Sequence, residues 1–94
     1  MNDFQVRHFP AHRQEILEEL VRLNRRIVPD LVLAPSLHDV HQDHHTIAEE
    51  AIRAFKRTSI LGYEEPWNNL TFNNQVYVTL EERHVDKKMA AVER

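Results

Sequence analysis

The stretch Pro29-Asp30-Leu31-Val32-Leu33-Ala34-Pro35-Ser36-Leu37-His38-Asp39-Val40-His41-Gln42-Asp43-His44 decides how this chain is read. Leu31 to Ala34 is an unbroken apolar run without polar alternation, the pattern of a strand covered on both faces in a parallel sheet. Pro35 ends the run. Ser36 to Gln42 then reads as a polar loop at the carboxyl end of that strand, where open α/β sheets place their ligand sites. Of the seven histidines in the chain, His38, His41, His44 and His45 fall within or just after that loop.

Upstream, Ile16, Leu17, Leu20, Leu23 and Ile27 recur in three- and four-residue steps, predicting an amphipathic helix from about Ala11. It should stop near Val28, because Pro29 pushes the residue before it out of the helical region. Downstream, Ile47, Ala48, Ala51, Ile52 and Phe55 predict a second helix from about Asp43, acidic at its start and basic at its end. Ser59 to Glu64 reads as a second strand, Glu65 to Asn69 as a turn-rich loop and Gln75 to Val78 as a third strand. Thr79-Leu80-Glu81-Glu82 matches a capping box, opening a last helix through Val85, Met89 and Val92. The order helix, strand, helix, strand, strand, helix predicts α/β layering.

Composition narrows the function. The chain has 94 residues, a formal net charge of -3, 41% hydrophobic residues and no cysteine, which fits one domain with one modest core. Without cysteine there is no disulfide framework, thiolate zinc site, iron–sulfur ligation or thiol nucleophile, so any metal must be held by His, Asp or Glu. A pI of about 6.1 and the absence of a basic stripe argue against a general nucleic-acid binder. A single glycine, Gly62, leaves no glycine-rich phosphate loop. The longest apolar run has four residues, far short of the roughly 20 that cross a bilayer, and Met1 to Phe4 does not open a secretory signal. The expectation is a cytoplasmic protein.

His41-Gln42-Asp43-His44 puts two imidazoles three positions apart at a helix start, on one side and about one turn apart. That spacing can converge on one metal ion, with Asp43 either fixing a histidine tautomer or capping the helix. A solvated polar loop with Asp43 as its cap would read the same way. Glu64 and Glu65, at a strand end, are candidates for substrate contact or for a solvated turn. Ser36 has no nucleophile-elbow context, and Asn69-Leu70-Thr71 matches a glycosylation acceptor without a secretory signal to support it.

Four segments in order, Ile27 to Ala34, His41-Gln42-Asp43-His44 with Ala48, Tyr63-Glu64, and Val76-Tyr77-Val78 before a helix with Lys87 and Lys88, resemble one family. It is the PIG-L/LmbE-like zinc-dependent N-acetylglucosaminyl deacetylases, and the resemblance covers most of the chain. It implies a Rossmann-like α/β sheet with helices on both faces, of which residues 1–94 would be the C-terminal portion. It further implies zinc held by His44, His41 stabilising an oxyanion or acting as an acid, and an N-acetylated sugar conjugate as substrate. The chemistry is coherent: zinc activates water and polarises an amide carbonyl, and an imidazole nearby serves the oxyanion or the leaving amine.

Two departures from the family pattern stand out. Gln42 occupies the position of the family's proline, and no Ala-His-Pro-Asp-Asp segment, the family's source of two zinc ligands and the general base, precedes His41. The resemblance therefore implies a fragment that is inactive alone and does not hold catalytic zinc tightly unless residues such as Asp39, or a second chain, complete the site. Two other readings compete: a noncatalytic α/β module that self-associates through an exposed sheet face, and a His-rich protein that binds nickel or copper as readily as zinc.

Overall fold

The computed structural model describes residues 3–93. A short 3-10 turn, Phe9–His12, leads into α1, Arg13–Ile27; β1 is Leu31–Pro35, α2 is Gln42–Ala54, β2 is Ser59–Tyr63 and α3 is Glu82–Val92. The architecture is mixed α/β, with three α-helices and a two-stranded parallel sheet. β1 and β2 run side by side from Leu31 opposite Ser59 to Pro35 opposite Tyr63, joined by α2 as the crossover that parallel strands require.

The end of α1 follows from its sequence. Val28 leaves the right-handed helix with φ 49° and ψ 62°, and its amide closes the last turn on the Asn24 carbonyl at 2.8 Å. A β-branched residue pays a steric penalty in that left-handed region, and Pro29, which lacks an amide hydrogen, cannot continue the helix beyond it. Asn24 then ties the two helices together, its side-chain amide donating to the Ala54 carbonyl at 3.0 Å.

The core lies on one face of the sheet. Ala34, Ala51, Ala54 and Phe55 form its centre, with Leu17, Leu20, Val21, Val32 and Ile60 packed around them. Small residues on β1 and α2 let the helix sit close to the strand, and Phe55 fills the remaining space. Glu50, with 0% relative exposure, is the one charged side chain wholly enclosed among the described residues. Arg53 donates to its carboxylate at 2.6 Å and the Arg13 guanidinium lies 3.6 Å away, so the buried charge is paired from both helices.

Several expectations change here. Val32 and Ala34 turn toward the helices, but Leu31 and Leu33 are exposed, Leu33 at 66%, so β1 is covered on one face and not on two. α2 packs on β1 and α1 packs on α2, both contributing to that one core, and no helix of the described residues packs on the other face. Gln75 to Val78 forms no strand: the segment crosses over β2, where Gln75, Val76 and Val78 line a cavity of about 420 Å³ with Leu33, Leu61 and Tyr63. Its alternating apolar residues suit a strand, but the segment is hydrogen-bonded to no sheet edge. The capping box expected at Thr79 and Glu82 is replaced by one two residues later, in which the Glu81 amide donates to His84 Nδ1 at 3.0 Å. Among the described residues, no helix is long and apolar enough to cross a membrane.

Candidate metal centre

The loop between β1 and α2 and the turn after β2 both leave the sheet at its carboxyl end, so the parallel pairing brings them together. An isolated antiparallel bridge links Asp39 with Asn69, reinforced by the Val40 amide donating to the Asn68 carbonyl at 2.8 Å. This contact sets Asp39, from the first loop, beside Glu65, from the second. α2 adds His44 from its first turn.

Asp39, His44 and Glu65 can each turn one ligand atom into a common space, all three atoms lying within 4.8 Å of one another. His44 Nδ1 faces both acids, 2.8 Å from Asp39 Oδ2 and 4.0 Å from Glu65 Oε2. A tetrahedral zinc with bonds of about 2.0–2.1 Å spaces its ligand atoms about 3.3 Å apart, between these two separations. Imidazole and carboxylate donors are the set that zinc and its neighbouring divalent ions accept.

The two acids are anchored by their own segments. Asp39 is 2% exposed, and its other oxygen, Oδ1, accepts the His41 amide hydrogen at 2.8 Å, which leaves Oδ2 for His44. Glu65 Oε2 accepts from the Asn68 side-chain amide at 3.0 Å. The Glu65 amide donates to Asn69 Oδ1 at 3.2 Å, while the Glu65 carbonyl accepts from the backbone amides of Asn68 and Asn69. The turn Glu65-Pro66-Trp67-Asn68-Asn69 is thus closed around its own acid.

His41 lies beside this group and not within it. Its ring stacks on that of His44, with centroids 4.4 Å apart and planes 21° from parallel. It is also the N-cap of α2, with Nδ1 accepting the Asp43 amide hydrogen at 3.2 Å. The cap fixes the neutral ring as the Nε2–H tautomer, so the edge of His41 away from the helix is a hydrogen-bond donor.

Asp43 takes neither of the roles expected for it. Its carboxylate is buried and accepts the backbone amides of Arg7, at 2.5 Å, and Phe9, at 3.2 Å. Gln42 adds a contact to the Arg7 carbonyl at 3.4 Å, so the two central residues of the motif grip the segment ahead of α1. Arg7 is held there at φ 71°, a conformation that a non-glycine residue adopts only under such constraint. The partners lie 36 and 34 positions upstream, and nothing in the local spacing announces them.

The remaining histidines stay outside the group. His45 pairs with Glu49 one turn on at 3.0 Å, and His12 with Glu15 at 2.6 Å. His38 lines a second cavity of about 340 Å³ with Ser36, Gly62, Glu64, Asn73 and Gln75; His38 and Glu64 directly precede Asp39 and Glu65 in the chain. The Ser36 hydroxyl accepts the His38 amide hydrogen at 3.0 Å, a turn contact and not a nucleophile's arrangement. Asn69, formally a glycosylation acceptor, is 7% exposed with its oxygen engaged, which closes it to a modifying enzyme in this fold. The chain matches no protein-family model, no curated protein and no solved structure.

Proposed function

We propose that the chain carries part of the site of a zinc-dependent amide hydrolase, the C-terminal portion of a PIG-L/LmbE-like N-deacetylase acting on N-acetylated sugar conjugates. The observation that carries this reading is the convergence of Asp39, His44 and Glu65 at the carboxyl end of two parallel strands, with His44 Nδ1 turned toward both acids. The β1–α2–β2 unit is compatible with the Rossmann-like sheet that the resemblance implies, with the site at a position such sheets use for ligands.

Within this reading Asp39, His44 and Glu65 hold the metal. Zinc, when bound, supplies Lewis acidity toward an amide carbonyl and an acidified water. The side chains do the rest. The His41 backbone amide fixes Asp39 and the Asn68 side-chain amide fixes Glu65 before the metal arrives, so little reorganisation opposes binding. His41 presents its Nε2–H alongside His44 and donates to an oxygen that gains negative charge. The cavity lined by Ser36, His38, Glu64, Asn73 and Gln75 offers donors and acceptors suited to a hydroxyl-rich ligand. The described residues assign no general base, in line with the missing Ala-His-Pro-Asp-Asp segment, so the isolated chain is expected to bind metal without hydrolysing amides.

The test is zinc content and affinity of the purified chain after dialysis. About one zinc per chain is expected, with at least about a 100-fold weaker affinity in His44→Ala and a smaller loss in His41→Ala. Zinc-free protein, or zinc bound equally by the His44→Ala chain, overturns the reading. Equal or tighter retention of nickel or copper through His38 and His45 would favour the noncatalytic His-rich alternative instead.

A further inference from the structure

The end of the sheet opposite the candidate metal centre concentrates positive charge. Residues 22–30 and 53–59 hold six of the chain's 12 Lys and Arg, namely Arg22, Arg25, Arg26, Arg53, Lys56 and Arg57, against one acid, Asp30, although the whole chain is net negative at -3. The fold brings the two segments together. Asn24 Nδ2 donates to the Ala54 carbonyl at 3.0 Å, which joins the last turns of α1 and α2, and the strands that follow start side by side, Leu31 opposite Ser59. Arg22 and Arg53 are engaged by Glu19 and Glu50, while Arg25, Arg26, Lys56 and Arg57 are exposed and form no ion pair among the described residues.

Cations suit helix C-termini, but the helix dipole asks for no apolar neighbours. Here Ile27 is 60% exposed and Val28 73%, at the turn between α1 and β1 that follows Arg25 and Arg26. Glycine or asparagine closes a helix at φ 49° with little strain, whereas a valine there is strained and finds no contact in the fold that buries it. An apolar tip beside free cations is the chemistry of a surface that meets anionic lipid: apolar side chains enter the interface while guanidinium and ammonium groups meet phosphate and carboxylate headgroups. A single-stranded nucleic acid would call for exposed rings to stack on, and the one ring in these two segments, Phe55, is buried in the core. We propose that this end of the molecule is a peripheral docking surface for an anionic lipid bilayer, with Ile27 and Val28 entering the headgroup region and Arg25, Arg26, Lys56 and Arg57 held against anionic headgroups. The surface does not depend on the metal-site reading. Because it occupies the amino end of the strands, it leaves their carboxyl end facing away from the membrane.

The test is co-sedimentation of the full chain with phosphatidylcholine vesicles, with and without about 30% phosphatidylserine, at about 0.1 M salt. The chain should bind only the vesicles that contain phosphatidylserine and should leave them at about 0.5 M salt. Each cation at an anionic surface is worth about fivefold in affinity, so Arg25→Gln made together with Arg26→Gln should weaken binding about tenfold or more. Val28→Asn should weaken it about threefold while leaving the unfolding midpoint unchanged or higher, since asparagine suits the left-handed cap, so the loss cannot be charged to misfolding. No binding to the phosphatidylserine vesicles, equal binding to the neutral ones, or binding that either variant retains in full overturns the proposal. So does tighter binding to a DNA or RNA oligonucleotide that Val28→Asn leaves unchanged, which would make the surface a nucleic-acid site.

Discussion

Residues 9–70 and residues 71–93 obey different rules. In the first region Ala34, Ala51, Ala54 and Phe55 are buried, and side chains from α1, α2, β1 and β2 share one core. In the second every described residue is exposed, including the whole of α3. Yet α3 is a regular helix with a formed cap and an apolar stripe at Val85, Met89 and Val92. Local signals suffice to start a helix, but packing decides whether it contributes to the stability of the rest. The candidate metal centre lies wholly in the packed region, where Asp39, His44 and Glu65 come from three successive segments around β1, α2 and β2.

The sharpest test of that contrast is Phe55→Ala. Phe55 closes the core between α2 and the sheet, and emptying that volume should cost about 3–5 kcal/mol, a large fraction of the roughly 5–15 kcal/mol available to a domain. Urea titration should show a much lower midpoint, with metal affinity lost as the strands separate. A loss below about 1 kcal/mol would mean that the core is not the common support of the four elements.

Glu50→Gln should come next. Arg53 and Arg13 lose a fully enclosed partner charge, but both are half exposed and regain water, so the cost should fall to about 1–3 kcal/mol. The same variant made together with Arg53→Ala separates the pair from simple burial. A cycle without coupling would show that Glu50 is held by packing and not by its arginines.

Asp43→Ala sharpens the comparison at the motif itself. Two backbone amides lose their acceptor while the His41 cap remains, so stability should fall by about 1–2 kcal/mol and the amides of Arg7 and Phe9 should exchange faster. Zinc affinity should change less than in Asp39→Asn, because Asp43 faces the upstream segment and Asp39 faces His44. A larger loss of zinc in Asp43→Ala than in Asp39→Asn would reverse those roles.

These residues also show what sequence could and could not reveal. β1, α2 and β2 were legible because a short apolar run, a 3.6-residue periodicity and two prolines all point the same way. His44 was legible as a ligand candidate from its spacing to His41. Asp39 carried only its place in a loop after a strand, and Glu65 only its place after the next strand. Their meeting depends on the parallel register and on the bridge at Asn69, both long-range. Leu31 to Ala34 misled about coverage because an apolar run records what a strand tolerates on each face and not whether a second layer is present. Gln75 to Val78 misled for a related reason: β propensity reflects fit to a sheet surface, and no edge pairs with it.

The smallest expected effect lies in α3 and is the most informative about the exposed region. His84→Ala removes the acceptor of the Glu81 amide, an exposed contact at 3.0 Å, and should fray the first turn at a cost of about 0.5–2 kcal/mol to that helix alone. An isolated helix of 11 residues is marginal, so backbone chemical shifts from Glu82 to Val85 should move toward coil values. The unfolding midpoint of the packed region should stay within about 2 °C, since no core residue touches α3. A drop of several degrees would join the two regions energetically and show that the Val85, Met89 and Val92 stripe rests on a surface in solution. Fraying without that drop would make α3 a helix formed by its cap and its sequence alone.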